Sequence, residues 1–260
     1  MITSSSNQQL KYVAALMKKV KMRREEGLFV VEGPKMYREI PEGWLEKTYV
    51  SEHFLRESDT EEILAEREYE VVADSVFRSL SDTQTPQGIL ALVSMPHYGI
   101  EELLQGEETH LLILEGIQDP GNLGTMIRTG EGAGITGIVM SSDTVDLFNP
   151  KTIRATMGSI YRVPYFIADD LCKTIREIKE NGVTVYAAHL EGSLPYDAPS
   201  YRGAAAFLIG NEGNGLSEEA AACADTRIRI PMAGEVESLN AAVSAAILMY
   251  EADRPRRGKR

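Results

Sequence analysis

Residues 206–217 constrain this chain more than any other stretch. An apolar run, Ala206 to Ile209, reads as a buried strand. Three glycines and two asparagines follow within six residues, in Gly210-Asn211-Glu212-Gly213-Asn214-Gly215. Glycine tolerates positive φ and lets a backbone come close to a ligand. Ser217 has the chemistry of an N-cap for a short helix whose first turn carries Glu218 and Glu219. A carboxylate, Glu212, is therefore expected on a tight loop at the carboxyl end of a strand, where open α/β sheets bind ligands. The same residues also suit a plain strand-to-helix turn, so the rest of the chain has to decide.

The 260 residues suffice for one large or two ordinary domains, and 43% hydrophobic residues is ordinary for a globular protein. Residues 1–11 lack the apolar core of a secretory signal. The longest apolar run, 241–250, is too short to span a bilayer. Cys172 and Cys223 have no Cys or His at ligand spacing and read as reduced, buried thiols of a cytoplasmic protein. His53, His97, His110 and His189 are scattered, and no metal site is expected. The net charge of −12 argues against a simple nucleic-acid binder, but the charge is unevenly spread. Residues 1–38 hold eight Lys/Arg (Lys11, Lys18, Lys19, Lys21, Arg23, Arg24, Lys35, Arg38) against three acids. Arg254, Arg256, Arg257, Lys259 and Arg260 form a second basic cluster. A local basic face is the electrostatic footprint of RNA or DNA binding, although a solvated helix face looks the same.

In chain order, Leu10, Val13, Ala14, Met17 and Val20 repeat at helical spacing. Short strands are expected at 28–31, 47–50, 69–73 and 88–93, with helices at 61–67 and, capped by Asp74, at 75–80. This alternation predicts a small α/β domain over residues 1–95. The polar turn 81–88 is a candidate for partner contacts. Residues 96–108, with Pro96, Gly99 and Gly106, read as a linker. A second domain is expected over 109–260. Its strands are placed at 110–114, 137–140, 160–163, 183–189, 206–209 and 227–230. Its helices are placed from near Asn122 to 133, at 150–157 with Asn149 as cap, at 171–180, and at 239–252 with Ser238 as cap. The apolar last helix either fills a core or makes a dimer interface.

Gly116, Gly121 and Gly124 do not form G-x-G-x-x-G, and G-x-x-x-x-G-K-[ST] is missing, so a standard dinucleotide or P-loop site is disfavoured. Three other motifs stand in order. They are Asn122-x-Gly124-x-x-x-Arg128, Leu208-Ile-Gly210-Asn211-Glu212-Gly213, and Ile230-Pro231-Met232 followed by Ser238-Leu239-Asn240. Together they resemble the three motifs of the SpoU-type (TrmH-like) RNA ribose 2′-O-methyltransferases of the SPOUT superfamily. The intervening segment from Val145 to Gly158 is similar to that family too. Phe29-Val-Val-Glu32-Gly33 and Thr85-Pro86-Gln87-Gly88-Ile89 more loosely resemble a small α/β RNA-binding domain found in front of many members. Gly130 and Gly132 depart from the pattern, in places where a better helix former is usual, and put the length of that helix in doubt.

The resemblance implies a parallel α/β sheet with a deep C-terminal trefoil knot, S-adenosylmethionine as cofactor, and a homodimer that completes the active site. It implies cofactor positions at Gly210, Ile230 and Leu239, with His189, Glu191, Gly192 and Met232 nearby. Methyl transfer to a ribose hydroxyl needs in-line approach at about 3 Å and loss of the hydroxyl proton. The resemblance points to Arg128 for activation. Arginine stays protonated and is a poor base, but its planar fork can orient ribose and phosphate and stabilise an alkoxide. Asn122 is expected to fix the loop, and Glu212 to pair with Arg128 or to orient Asn122. Ser238 and Asn240 are expected to cap the last helix or touch substrate. Lys11, Lys18, Lys19, Arg23, Arg24, Lys35, Lys151 and Arg154 are the expected RNA contacts. The substrate this resemblance implies is a structured RNA, with ribosomal RNA the first reading and transfer RNA the alternative. A non-catalytic RNA-binding relative and a nucleotide enzyme on a conventional sheet are the competing readings.

Overall fold

The computed structural model describes residues 1–57, 59–64, 67–81, 83–106, 108–191 and 194–257. The chain divides into two compact units: Met1–Pro96 with Asp146–Tyr161, and His97–Val145 with Arg162–Arg260.

The first unit opens with α1 (Gln8–Lys18) and α2 (Val20–Glu26), where one continuous helix was expected. The chain breaks at Lys19, which is extended at φ −116°, ψ 108°. Arg23 accounts for the break. Its guanidinium donates to the Leu16 and Met17 carbonyls at the end of α1, carbonyls with no partner inside the helix. The same group pairs with Asp146, with Nε to Oδ2 at 2.9 Å. Gly27, in the left-handed region at φ 64°, then ends α2.

β1 (Leu28–Glu32), α3 (Pro34–Arg38), β2 (Leu45–Ser51), α4 (Thr60–Leu64), β3 (Glu70–Val72), α5 (Asp74–Leu80) and β4 (Ile89–Ser94) follow. The strands form one sheet in the order β1-β4-β2-β3, with β4 antiparallel to β1 and β2, and β3 parallel to β2. Val13 and Leu16 of α1, Val72, Phe77 and Leu92 share its core. Asp74 is the first helical residue of α5, and Ala73 holds the cap position.

The expected linker is not one. It folds as α6 (Ile100–Leu103), whose Ile100 and Leu103 are buried in the core of the second unit. Glu102 accepts from the Gly99 backbone N–H at 2.7 Å and fixes the helix start. Next come β5 (His110–Leu114), α7 (Pro120–Ala133) and β6 (Gly137–Ser141). α7 runs unbroken through Gly130 and Gly132. α8 (Pro150–Thr156), capped by Asn149, belongs to the first unit.

The strand expected at 160–163 is displaced: Ser159–Tyr161 is a 3-10 turn, and the strand is β7 (Tyr165–Ala168). Tyr161 is drawn into the aromatic cluster of the first unit with Phe29 and Trp44. The chain ends with α9 (Leu171–Glu180), β8 (Thr184–Ala188), β9 (Leu194–Pro195), β10 (Ala205–Ile209), α10 (Glu218–Cys223), β11 (Thr226–Arg229) and α11 (Ala241–Asp253).

Among the described residues the second sheet has seven strands in the order β7-β6-β5-β10-β8-β11-β9, and every neighbouring pair is parallel. From β5 the chain builds outward through β6 and β7. It then crosses to the other side, and β10 enters between β5 and β8. The loops leaving β5 and β10 therefore lie side by side where the strand order reverses, the place where open α/β sheets form a crevice.

α11 packs on α7 and β10. A Cβ on Gly130 would stand 2.3 Å from Ile135 Cδ1 and 3.5 Å from Met249 Sδ; one on Gly132 would stand 3.0 Å from Tyr250 Oη. Gly130 thus makes room for Ile135, which folds back on α7, and Gly132 makes room for the Tyr250 hydroxyl of α11; these close contacts offset the poor helix propensity of glycine.

Candidate active site

The crevice is built by hydrogen bonds that join all three motifs. Glu212 leaves β10 in a tight loop closed by the Asn211–Gly215 bridge. Asn211 holds the loop: its Oδ1 accepts from the Gly213 and Asn214 N–H groups at 2.9 and 3.0 Å. Its Nδ2 donates to the Gly116 carbonyl, in the loop after β5, at 2.7 Å. The glycine at 210 is obligatory for the loop itself. A Cβ there would lie 2.2 Å from the Gly215 carbonyl carbon and the Leu216 nitrogen, both backbone atoms. Ser217 caps α10 as expected, and it also donates to Glu115 through its N–H (2.8 Å) and hydroxyl (2.6 Å).

The Glu212 carboxylate accepts from the Gln118 N–H (3.0 Å), the Asp119 N–H (3.0 Å) and Asn122 Nδ2 (3.0 Å). Burial alone would push its pKa up. The hydrogen bonds from Asn122 and from the Gln118 and Asp119 N–H groups together outweigh it, and the pKa falls below 4.5. Asn122 in turn accepts from Asn240 Nδ2 at 3.0 Å. Asn240 Oδ1 is occupied as the cap of α11, accepting from Ala242 N at 2.9 Å and Val243 N at 3.3 Å. Every amide orientation is then fixed, because a carboxylate can only accept.

One expectation is corrected here. Asn240, not Ser238, caps the last helix, and Ser238 is exposed ahead of it. Of the two roles expected for Glu212, the structure shows the orienting of Asn122. Arg128 is on the exposed face of α7 and hydrogen-bonds to none of the described residues. One residue was overlooked. Asp119 is the N-cap of α7, with Oδ1 accepting from Asn122 N at 2.8 Å. The dipeptide Asp119-Pro120 carried that signal, since proline favours the first helical position.

The expected cofactor positions cluster by topology. Gly210 follows β10, His189 follows β8, and Ile230 and Met232 follow β11, three adjacent strands whose carboxyl ends face one way. Ile230, Met232 and Leu239 are half-buried. His189 is already engaged: its N–H reaches the Ile228 carbonyl, and Nε2 lies 3.3 Å from Glu218. Glu191 is exposed, and Gly192 lies outside the described residues. Among the described residues no group of acidic, His or Cys side chains could hold a metal ion.

The expected RNA-contact residues all fall in the first unit, because Lys151 and Arg154 arrive there on α8. Lys11, Lys18, Lys19, Arg24, Lys35 and Lys151 are exposed. Arg23 is the exception. Only 3% of it is exposed, and it is spent on α1 and Asp146. Lys35 and Arg154 line one cavity with Thr83, Thr85, Gln87 and Met157. The turn 81–88 is held to that cavity by Glu32, which accepts from Ser81 Oγ at 2.7 Å and Thr83 Oγ1 at 3.0 Å. At the chain end, Arg256 is buried against the Tyr201, Glu108 and Gly203 carbonyls, so the second basic cluster is partly structural. Lys259 and Arg260 lie outside the described residues.

A parallel sheet with a switch-point crevice, joined to a separate unit bearing exposed cations, defines a nucleic-acid-modifying α/β enzyme. The sequence pattern described as the SpoU rRNA Methylase family matches residues 109–250, and that of an MRM3-like substrate binding domain matches residues 7–91. The chain belongs to the SpoU rRNA methylase family, S-adenosylmethionine-dependent RNA 2′-O-methyltransferases. It is 34% identical over 251 residues to a Bacillus subtilis 23S rRNA (guanosine(2553)-2′-O)-methyltransferase, RlmP, covering 96% of this chain and 97% of that protein. The fold is similar to an AdoMet-bound rRNA methyltransferase from Sinorhizobium meliloti, with TM-score 0.85 at 30% identity over 98% and 97% of the two chains. It is similar also to the SpoU methyltransferase AviRb from Streptomyces viridochromogenes, with TM-score 0.89 at 24% identity over 98% and 100%.

Glu212→Gln tests the carboxylate. An amide must turn an NH2 group toward an N–H donor, so at neutral pH the variant is expected to lose about 1 kcal/mol. A depressed folded pKa gives stability that is fully present above the unfolded value and lost as pH falls through the folded one. The gap between wild type and variant should therefore close below about pH 4. Urea melts at pH 7 and pH 3.5 measure it, and a gap that widens in acid overturns the assignment.

Proposed function

We propose that this enzyme methylates a ribose 2′-hydroxyl of structured ribosomal RNA, with Arg128 as the essential catalytic residue. The observation that carries the reading is the Glu212–Asn122–Asn240 chain of hydrogen bonds, which rigidifies the start of the helix bearing Arg128 and leaves its guanidinium uncommitted. The ribosomal choice is supported by the separate front unit and by the 23S rRNA methyltransferase activity of the Bacillus subtilis relative.

S-adenosylmethionine supplies an electrophilic methyl group when bound. Gly210, Ile230 and Leu239 are proposed to hold it, with Met232, His189, Glu191 and Gly192 alongside. Arg128 orients the ribose and its phosphate through the planar fork, and it lowers the cost of negative charge on the 2′-oxygen. Asn122, Glu212 and Asn240 are positioning residues, and Ser238 faces substrate. The entry of β10 between β5 and β8 supports a trefoil knot in the C-terminal segment. Among the described residues no helix is long and apolar enough to cross a membrane, and we place the enzyme in the cytoplasm with its ribosomal substrate.

Mapping ribose methylation across total RNA, with and without the protein, identifies the target nucleotide. On that RNA, single-turnover methylation by Arg128→Ala is expected to fall by about 10²–10³ while S-adenosylmethionine still binds. Arg128→Lys should fail as well, since an ammonium lacks the fork. Near wild-type turnover in Arg128→Ala rules the residue out.

RNA contact is assigned to Lys11, Lys18, Lys19, Arg24, Lys35, Lys151 and Arg154, with Arg23 withdrawn to a structural role. Replacing Lys18, Lys19 and Arg24 by Ala should weaken RNA binding and flatten its logarithmic salt dependence by about 0.7–0.9 per lost phosphate contact. Cofactor affinity should not change. An unaltered salt slope would remove α1 and α2 from the interface.

The homodimer is supported by α11. Its Ala241, Ala245, Leu248 and Met249 are buried within the chain, while Val243 and Tyr250 remain exposed. Light scattering at micromolar concentration is expected to give twice the chain mass, and a stable monomer counts against it.

A further inference from the structure

The two cysteines are 51 residues apart in sequence, yet their sulfurs lie 2.6 Å apart. Cys172 is in the first turn of α9, and Cys223 is the last residue of α10. Both are half-buried rather than enclosed, so a small oxidant can reach them. The expectation of buried thiols is therefore corrected to half-buried ones that lie together. We propose that Cys172 and Cys223 form an oxidisable dithiol, a site of disulfide modification by hydrogen peroxide that staples α10 to α9.

The surrounding contacts hold the pair in place independently of the sulfurs. Lys179, two turns along α9 from Cys172, donates to the Cys223 carbonyl at 3.0 Å and pairs with Asp225 at 3.0 Å. Ile175 and Ile178 of α9 and Ala220 and Ala221 of α10 share one core, with Leu171 and Cys223 packed against it. The two helix ends are thus fixed by packing, a carbonyl contact and an ion pair. A disulfide bond is about 2.05 Å long, so closure needs a movement of only about half an ångström.

Burial, then the hydrogen bond with Cys223, pushes the Cys172 thiol up to about 12. One of the two sulfurs attacks one peroxide oxygen, the O–O bond breaks, and one water leaves, giving a sulfenic acid. The other sulfur then attacks the sulfenic sulfur. The S–S bond forms, the S–O bond breaks, and the departing hydroxide takes the remaining thiol proton as a second water. Peroxide is reduced to two waters, and the two thiols are oxidised to one disulfide.

The ring closed by this bond contains β8, β10 and the loops carrying His189, Gly210 and Glu212. Oxidation therefore restrains the segment that builds the crevice, and it removes conformational freedom mainly from the unfolded chain.

The full-length protein is treated with peroxide, alkylated and digested, and its peptides are weighed. The expected product is a Cys172–Cys223 linked pair lacking two hydrogens, at single-chain mass on a non-reducing gel. Its thermal midpoint should rise by roughly 5–15 °C and fall back with dithiothreitol. Cys172→Ser and Cys223→Ala should each abolish the linked pair and the thermal response. The proposal is overturned if both cysteines are alkylated or over-oxidised independently, if the bond joins two chains, or if either variant still shows the thermal response.

Discussion

The crevice depends on one carboxylate that can only accept hydrogen bonds. Glu212 draws two backbone N–H groups of the β5–α7 loop and the Asn122 amide onto its two oxygens. Asn122 is then forced to present its own oxygen to Asn240, and Asn240 already caps α11. Three segments from residues 118–122, 212 and 240 are locked in a single orientation, with no choice left to any amide. Loss of the carboxylate would leave donors facing donors, which is why a neutral isostere does not replace it.

Backbone crowding makes that lock possible. Gly210 lets the β10 loop close on itself at a distance no side chain tolerates, and that closure presents Glu212. Gly132 leaves room for the Tyr250 hydroxyl where α11 packs on α7. Charge is divided in a comparable way. The exposed cations at Lys18, Lys19, Arg24, Lys35 and Lys151 belong to one compact unit, although Lys151 comes from a segment far along the chain. A net charge of −12 is compatible with a group of exposed cations because those cations are gathered in one unit.

Arg23 and the two cysteines illustrate how composition misleads when taken alone. Arg23 stands in a basic run and reads as a phosphate contact, yet it is consumed by carbonyls and Asp146. Cys172 and Cys223 have no Cys or His at ligand spacing, and folding puts their sulfurs together. In each case the deciding partner is distant in sequence, where local periodicity carries no signal.

The sequence by itself determined the α/β alternation, most strand and helix positions to within a few residues, and the glycine loop bearing Glu212. These follow from local preferences: apolar runs, caps such as Asn149 and Ser217, and the freedom of glycine. The tertiary structure alone decided which core residues 100–103 join, that α8 belongs to the first unit, and that Tyr161 is claimed by an aromatic cluster instead of a strand. It also decided the partners of Glu212, Arg23 and Asn240. The physical reason is the same throughout. A buried or charged group takes whichever partner the fold delivers, and the seven-stranded parallel order, with β10 entering between β5 and β8, brings together residues that no local pattern connects.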